Sequence, residues 1–153
     1  MSLQASGADT FYDITTPKFA AQAIRKVYDI GWRPTHFLAQ VSAFVGSVFE
    51  PVGLEKAQGI ISATIAKDIT DPRMRDDPDY KEWLHWMKTY YPQGNVLDGT
   101  NEGAYISAQE LVQILRQCGD DLSRANIMRQ AANLHDYAPK MLLPGLTLTT
   151  SPT

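Results

Sequence analysis

At 153 residues, with 44% hydrophobic and 20% charged side chains, the chain carries enough apolar material for a packed core, which argues against wholesale disorder. Fourteen basic against seventeen acidic residues give a net charge of −3, and the basic residues are scattered rather than clustered, which argues against a nucleic-acid surface. The single cysteine, Cys118, allows no intrachain disulfide, and no apolar run approaches the ~20 residues needed to span a bilayer.

In chain order, Phe11–Thr15 reads as a short strand. Thr16 is a helix-capping residue type and Pro17 suits the first helical position. Ala20, Ala23, Ile24, Val27 and Ile30 then recur at helical spacing, the stripe a helix presents to a sheet. Gly31 is placed to end that helix, and residues 35–41 read as a second strand. Ser42–Phe49 is predicted as a short helix and Pro51–Gly59 as a loop. Gly59–Ala66 is nearly all small or apolar, the signature of a strand buried on both faces of a parallel sheet. Strands alternating with helices point to βαβ units and an α/β fold class, a parallel sheet with an added helical segment.

Composition then shifts. Lys67–Tyr80 carries Asp68, Asp71, Asp76, Asp77 and Asp79 with little apolar content and reads as a solvated connector. Beyond it, Tyr80, Trp83, Leu84, Met87 and Tyr91 form a helical stripe ending at Pro92 and Gly94. Thr100 or Asn101 is predicted to cap a helix lined by Ala104, Ala108, Leu111 and Leu115 and closed by Gly119. Ser123 caps a shorter helix, and Met141–Thr149 returns to strand-like residues around Pro144 and Gly145.

Catalytic chemistry finds little support. His36, His85 and His135 lie far apart in sequence, with no second metal-type ligand at useful spacing. Cys118 has no nearby base and reads as a small buried hydrophobe at a helix end. There is no nucleophile elbow, phosphate loop or dinucleotide fingerprint, and the acidic run lacks calcium-loop spacing.

Taken in order, Ala5-Ser6-Gly7-Ala8-Asp9, the Thr16-Pro17 helix start, Gly31-Trp32, Gly59-Ile60-Ile61-Ser62-Ala63, Asp71-Pro72, Ala108-Gln109-Glu110-Leu111-Val112, Gln117-Cys118-Gly119-Asp120-Asp121 and Leu143-Pro144-Gly145 resemble the type 1 periplasmic solute-binding proteins, the receptors of branched-chain amino acid ABC importers. The resemblance covers essentially the whole chain from Ala5. It implies two α/β lobes joined by crossing strands, with solute held between them and no cofactor. On that likeness residues 1–66 belong to the second lobe, 67–79 are a hinge, 80–142 are helices of the first lobe and 143–153 are a return crossing. The chain is then expected to be a piece of a longer periplasmic protein.

Ligands of open α/β sheets sit beyond the carboxyl ends of the strands. The candidate ligand-binding residues are therefore Thr15 and Thr16 after the first strand and Gln40 and Ser42 after the second, with Tyr105 near the start of its helix. Thr16 also has a capping role open to it, Gln40 and Ser42 could simply be solvated, and Tyr105 could be a packing residue. Amino-acid receptors of the family typically place an acid near the Gln40 position to hold the ammonium. Its lack here leans toward an organic or aromatic acid, although an amino acid stays open. The expected partners are that small-molecule solute, membrane permease subunits of an importer and no nucleic acid. Two alternatives stand beside the receptor reading: an α/β enzyme with its catalytic residues elsewhere, and a non-binding dimeric remnant. Strands lacking neighbours leave open edges and exposed apolar faces, so a homodimer is expected, with Asp68–Asp79 as an exchange hinge.

Overall fold

The computed structural model describes residues 3–152. It divides into two compact units, one drawn from the described part of Met1–Thr64 with Leu97–Gly99, the other from that of Ile65–Val96 with Thr100–Thr153.

In the first unit, β1 (Thr10–Asp13) and β2 (Thr35–Leu38) pair in parallel, with Thr10 opposite Thr35 and Asp13 opposite Leu38. The crossover is α1 (Pro17–Asp29), so the segment is a βαβ unit, as the alternating pattern predicts. Proline's fixed φ and missing N–H suit Pro17 to the first turn. At the other end Gly31 adopts φ 68° and donates to the Tyr28 carbonyl, while Trp32 donates to Val27. Only a residue free of a Cβ takes that left-handed stop without strain. The inward face of α1 buries Ala20 and Ile24, which join Leu38, Val48 and Val52 in one core. Burying a side chain the size of Ile24 stabilises the fold by about 1.5–3 kcal/mol.

Two expectations are corrected in this unit. Residues 42–49 do not form one helix. A 3-10 turn, Gln40–Ser42, is followed by a π turn, Val45–Phe49, and a short α2, Glu50–Val52. Gly46 sits where a Cβ would fall 2.6 Å from Leu97, so the backbone runs close against that residue. Nor is Gly59–Ala66 a buried strand. It makes one parallel bridge, Ile61 to Phe37, and Ile61 and Ile65 stay 48% and 56% exposed. Among the described residues the sheet has two strands. The run lies beside β2 at Ile61 alone, and its end turns instead to residues 142–143, where Ala66 bridges Leu142 and the Ile65 carbonyl accepts from the Leu143 amide.

The second unit is helical. In α3 (Pro78–Tyr90), Asp77 caps the start by accepting from the Asp79 and Tyr80 amides. α4 (Gly99–Cys118) begins just before the expected cap at Thr100 or Asn101. α5 (Arg124–Ala131) is capped by Ser123, whose hydroxyl accepts from the Asn126 amide. Trp83, Met87, Tyr105, Ile106 and Met141 form the core of this unit. Cys118 is buried at the end of α4, as its reading as a small hydrophobe requires.

The acidic run is more organised than a solvated connector. Asp71 caps a 3-10 turn, Pro72–Asp76, and Lys67 Nζ lies 2.8 Å from Asp77 and 2.7 Å from Asp79. The carboxylates are spaced to be shared between helix starts and one nearly buried ammonium, a use that composition does not reveal. The return stretch holds bridges only, Ala66 to Leu142 and Tyr137 to Leu148, because Pro144 and Gly145 interrupt it.

Candidate functional site

β1 and β2 are parallel, so both carboxyl ends open on one edge of the sheet. Thr15, Thr16, Gln40 and Ser42 all follow those ends. Asp13, the last residue of β1, is 1% exposed and organises them. Its Oδ1 accepts from the Thr15 amide at 3.0 Å and from the Thr15 hydroxyl at 2.6 Å. Its backbone carbonyl accepts from the Ala39 amide at 2.8 Å, which ties the two strand ends together. Ser42 is fully buried, and its hydroxyl donates to the Thr15 carbonyl. Thr15 is thereby held at its amide, hydroxyl and carbonyl, while the residue itself stays exposed. Its hydroxyl gives its proton to Asp13 and presents acceptor lone pairs outward.

Gln40 is exposed beside this group, at the start of the 3-10 turn. Thr16 is exposed as well, and it caps α1 differently from expectation. Its carbonyl accepts from both Phe19 and Ala20, and its side chain makes no capping bond. The carbonyl has taken the Phe19 amide, the donor that a capping hydroxyl would use. Ser62 is another polar group at this edge, donating to the Leu38 carbonyl at 2.8 Å.

Sequence spacing missed the partnership beneath the edge. His36 and Asp13 lie on adjacent strands, and the register brings His36 Nε2 to 3.8 Å from Asp13 Oδ2. Both atoms are buried without a hydrogen-bond partner. Burial lowers the His36 pKa, and the neighbouring Asp13 carboxylate partly opposes this. One signal was present: Asp13 falls in the same alternation phase as Phe11, an acid on the inward side of a strand. Behind the pair, His36 also lines a pocket of about 310 Å³ with Tyr28, Trp32, Arg33 and Lys56. Arg33 and Lys56 lie 5.1 and 5.5 Å from the centre of the Tyr28 ring.

Tyr105 lies in the other unit. It is 7% exposed, its ring 5.3 Å from Trp83 and 5.4 Å from Trp86. It lines a pocket of about 320 Å³ with Trp86, Arg116, Tyr137 and Lys140. Burial first, then Glu82, raises its phenol pKa. A buried carboxyl, Glu102, lies one turn earlier on α4, its pKa pushed up to about 8 by burial and then by Asp68. Among the described residues no three His, Cys, Asp or Glu side chains gather as a metal would require, and no helix is long and apolar enough to cross a membrane.

Searches among curated proteins and among solved structures gave no match. The family model described as periplasmic binding protein matches residues 2–150, nearly the full chain. With its parallel βαβ unit and polar strand ends, the chain belongs to the type 1 periplasmic binding protein family, an α/β fold that supports a solute-binding role.

Proposed function

We propose that this chain is part of a solute receptor of an ABC importer in the periplasm, acting by binding rather than by chemistry. The observation that carries the reading is the strand-end group, where Thr15 is fixed by Asp13 and Ser42 while it and Gln40 face solvent. Such fixed polar groups lose little freedom when a ligand arrives. Thr15, Thr16 and Gln40 are the side chains offered to solute, and Ser42 supports Thr15 from below. Tyr105 enters through the family likeness and is a contact of its own unit.

The solute class we favour is a small organic or aromatic acid that also carries a donor such as a hydroxyl. The Thr15 proton is committed to Asp13 and its oxygen can only accept, which leaves the solute carboxylate to the Thr16 hydroxyl and the Gln40 amide. Gln40 stands near where amino-acid receptors of the family carry an acid for the ammonium group, and Asp13 at this edge is buried and engaged with Thr15. In the family such a receptor closes over its solute and is then read by permease subunits. Calorimetry of the protein with benzoate, 4-hydroxybenzoate, leucine and valine tests the reading. Binding of 4-hydroxybenzoate, whose hydroxyl can donate to Thr15, that weakens at least tenfold in Thr15→Val supports it. Turnover of an ester or amide without saturable solute binding sinks it.

A homodimer is the assembly this reading carries. Tyr12 on the outward side of β1 and Ile14 just beyond its end are 67% and 69% exposed, with Ile61 48% exposed nearby on the β2 side. Light scattering that gives a 17.0 kDa monomer at high concentration removes the dimer and leaves the receptor intact.

A further inference from the structure

The pair beneath the strand ends has no use so far. A buried carboxylate oxygen and a buried imidazole nitrogen, 3.8 Å apart and both lacking a hydrogen-bond partner, sit directly under the residues offered to solute. Unpaired buried polar atoms are costly, so the arrangement calls for a function. We propose that Asp13 is the positioning residue of the strand-end site and that His36 acts as a proton-dependent rival for its carboxylate. The proposal rests on the strand-end reading of the site and deepens it.

The geometry makes the coupling one of competition. Oδ1 of Asp13 holds the Thr15 amide and hydroxyl, and Oδ2 faces His36. A neutral imidazole 3.8 Å away is beyond hydrogen-bond reach and leaves the carboxylate to Thr15. An imidazolium there attracts the same carboxylate through a nearly dry gap, where charge interactions are strong. Drawing Asp13 toward His36 lengthens both bonds to Thr15. Since the Thr15 carbonyl also takes the Ser42 hydroxyl, the whole turn after β1 responds.

Burial and Asp13 govern the His36 titration, and other groups share its surroundings. The Phe11 ring packs 4.7 Å from the imidazole on the β1 side. Tyr28 from α1, Arg33 from the segment before β2, and Glu55 and Lys56 from the turn after α2 share the pocket that His36 lines. The two cations oppose protonation and Glu55 favours it. Desolvation is the largest influence and holds His36 below its ordinary 6.5, so the imidazole is neutral at pH 7 and charges only on acidification. The sign agrees with folding linkage. The unfolded chain takes up the proton more readily than the folded one, so acid weakens this unit below pH 6.5.

The test uses the 153-residue chain and amide hydrogen exchange at Thr15, read by NMR and corrected for intrinsic rates. In the native protein, Thr15 protection falls severalfold between pH 7.5 and a pH on the acid side of the His36 imidazole titration, with the midpoint of that titration. In His36→Gln, whose amide cannot charge, protection is the same at both pH values. In Asp13→Asn, whose amide oxygen still accepts from Thr15 but carries no charge for an imidazolium to attract, protection persists and no longer varies with pH. A pH-independent Thr15 in the native protein overturns the proposal, and so does a response that survives His36→Gln. If Asp13→Asn fails to fold, the other two arms still decide. None of these readouts needs a solute, so failed calorimetry would sink the receptor reading and leave this one standing. Where a solute does bind, an affinity independent of pH over the same range would overturn the coupling.

Discussion

Ser42 and Thr15, 27 positions apart, are joined by one part-buried hydrogen bond from the Ser42 hydroxyl to the Thr15 carbonyl. That bond crosses from the turn after β2 to the turn after β1, so the polar edge of the sheet is one unit. Ser42→Ala leaves a carbonyl unsatisfied beneath an exposed turn. The expected cost is about 1–3 kcal/mol in urea unfolding, together with faster amide exchange at Thr15 and no change at α5 in the other unit. Unchanged exchange at Thr15 would show that the turn is held by Asp13 alone.

The apolar core of the first unit makes a sharper contrast. Ile24 is 1% exposed and touches a core built from both strand and turn residues, so Ile24→Ala should cost about 2–5 kcal/mol through lost burial and the cavity left behind. Leu111 sits on α4 with 52% of its surface exposed, and Leu111→Ala should stay within about 0.5 kcal/mol. Paired chemical-denaturation curves test the contrast. Equal losses would mean that α1 does not carry the unit's core.

These contrasts follow what was legible in the residues. Pro17, Gly31 and Ser123 mark helix ends by their own backbone chemistry, and the ends fall on or beside them, whereas the Asp77 cap is hidden in a run that composition reads as a solvated connector. The stripe of Trp83 and Met87 was equally local, since helical spacing alone puts both on one face. Gly59–Ala66 misled because a run of small and apolar residues is compatible with a central strand only if neighbours exist on both sides. The site divides in the same way. The strand ends could be located from the βαβ pattern, and with them Thr15, Thr16, Gln40 and Ser42. The Asp13–His36 approach could not, because it depends on the register of two strands 22 residues apart, counted from Asp13 to Thr35.

Lys67 gives a prediction about the acidic run. Its side chain is 10% exposed and reaches two carboxylates, which raise its pKa in spite of desolvation. The Lys67 ammonium holds Asp77 below the usual carboxylate range, and Asp77 also caps α3. Lys67→Ala therefore leaves Asp77 and Asp79 facing each other without their cation. The expected loss is about 1–3 kcal/mol, below the 3–5 kcal/mol of a fully buried pair because both carboxylates keep some contact with water. Lys67→Met should recover part of it by restoring the stem's apolar contacts. A loss of stability that vanishes entirely in high salt would assign the cluster to surface screening instead.

Glu102 sets the pH response of the second unit. It is 5% exposed, one carboxyl oxygen lacks a partner, and burial with the nearby Asp68 pushes its pKa to about 8 from an ordinary 4.5. Between those values the folded protein keeps a proton that the unfolded chain has released. Stability from this group is therefore fully present below pH 4.5 and falls as pH rises toward 8, by an amount on the order of a few kcal/mol. Glu110, raised in the same direction by burial, adds a smaller slope of the same sign. Glu102→Gln cannot ionise, so its melting temperature should exceed that of the native protein at pH 9 and fall less between pH 5 and pH 9. Differential scanning calorimetry of the two proteins isolates the Glu102 contribution, because every other titrating group is common to both. Parallel melting-temperature profiles would mean that water reaches the Glu102 carboxylate and keeps its pKa ordinary.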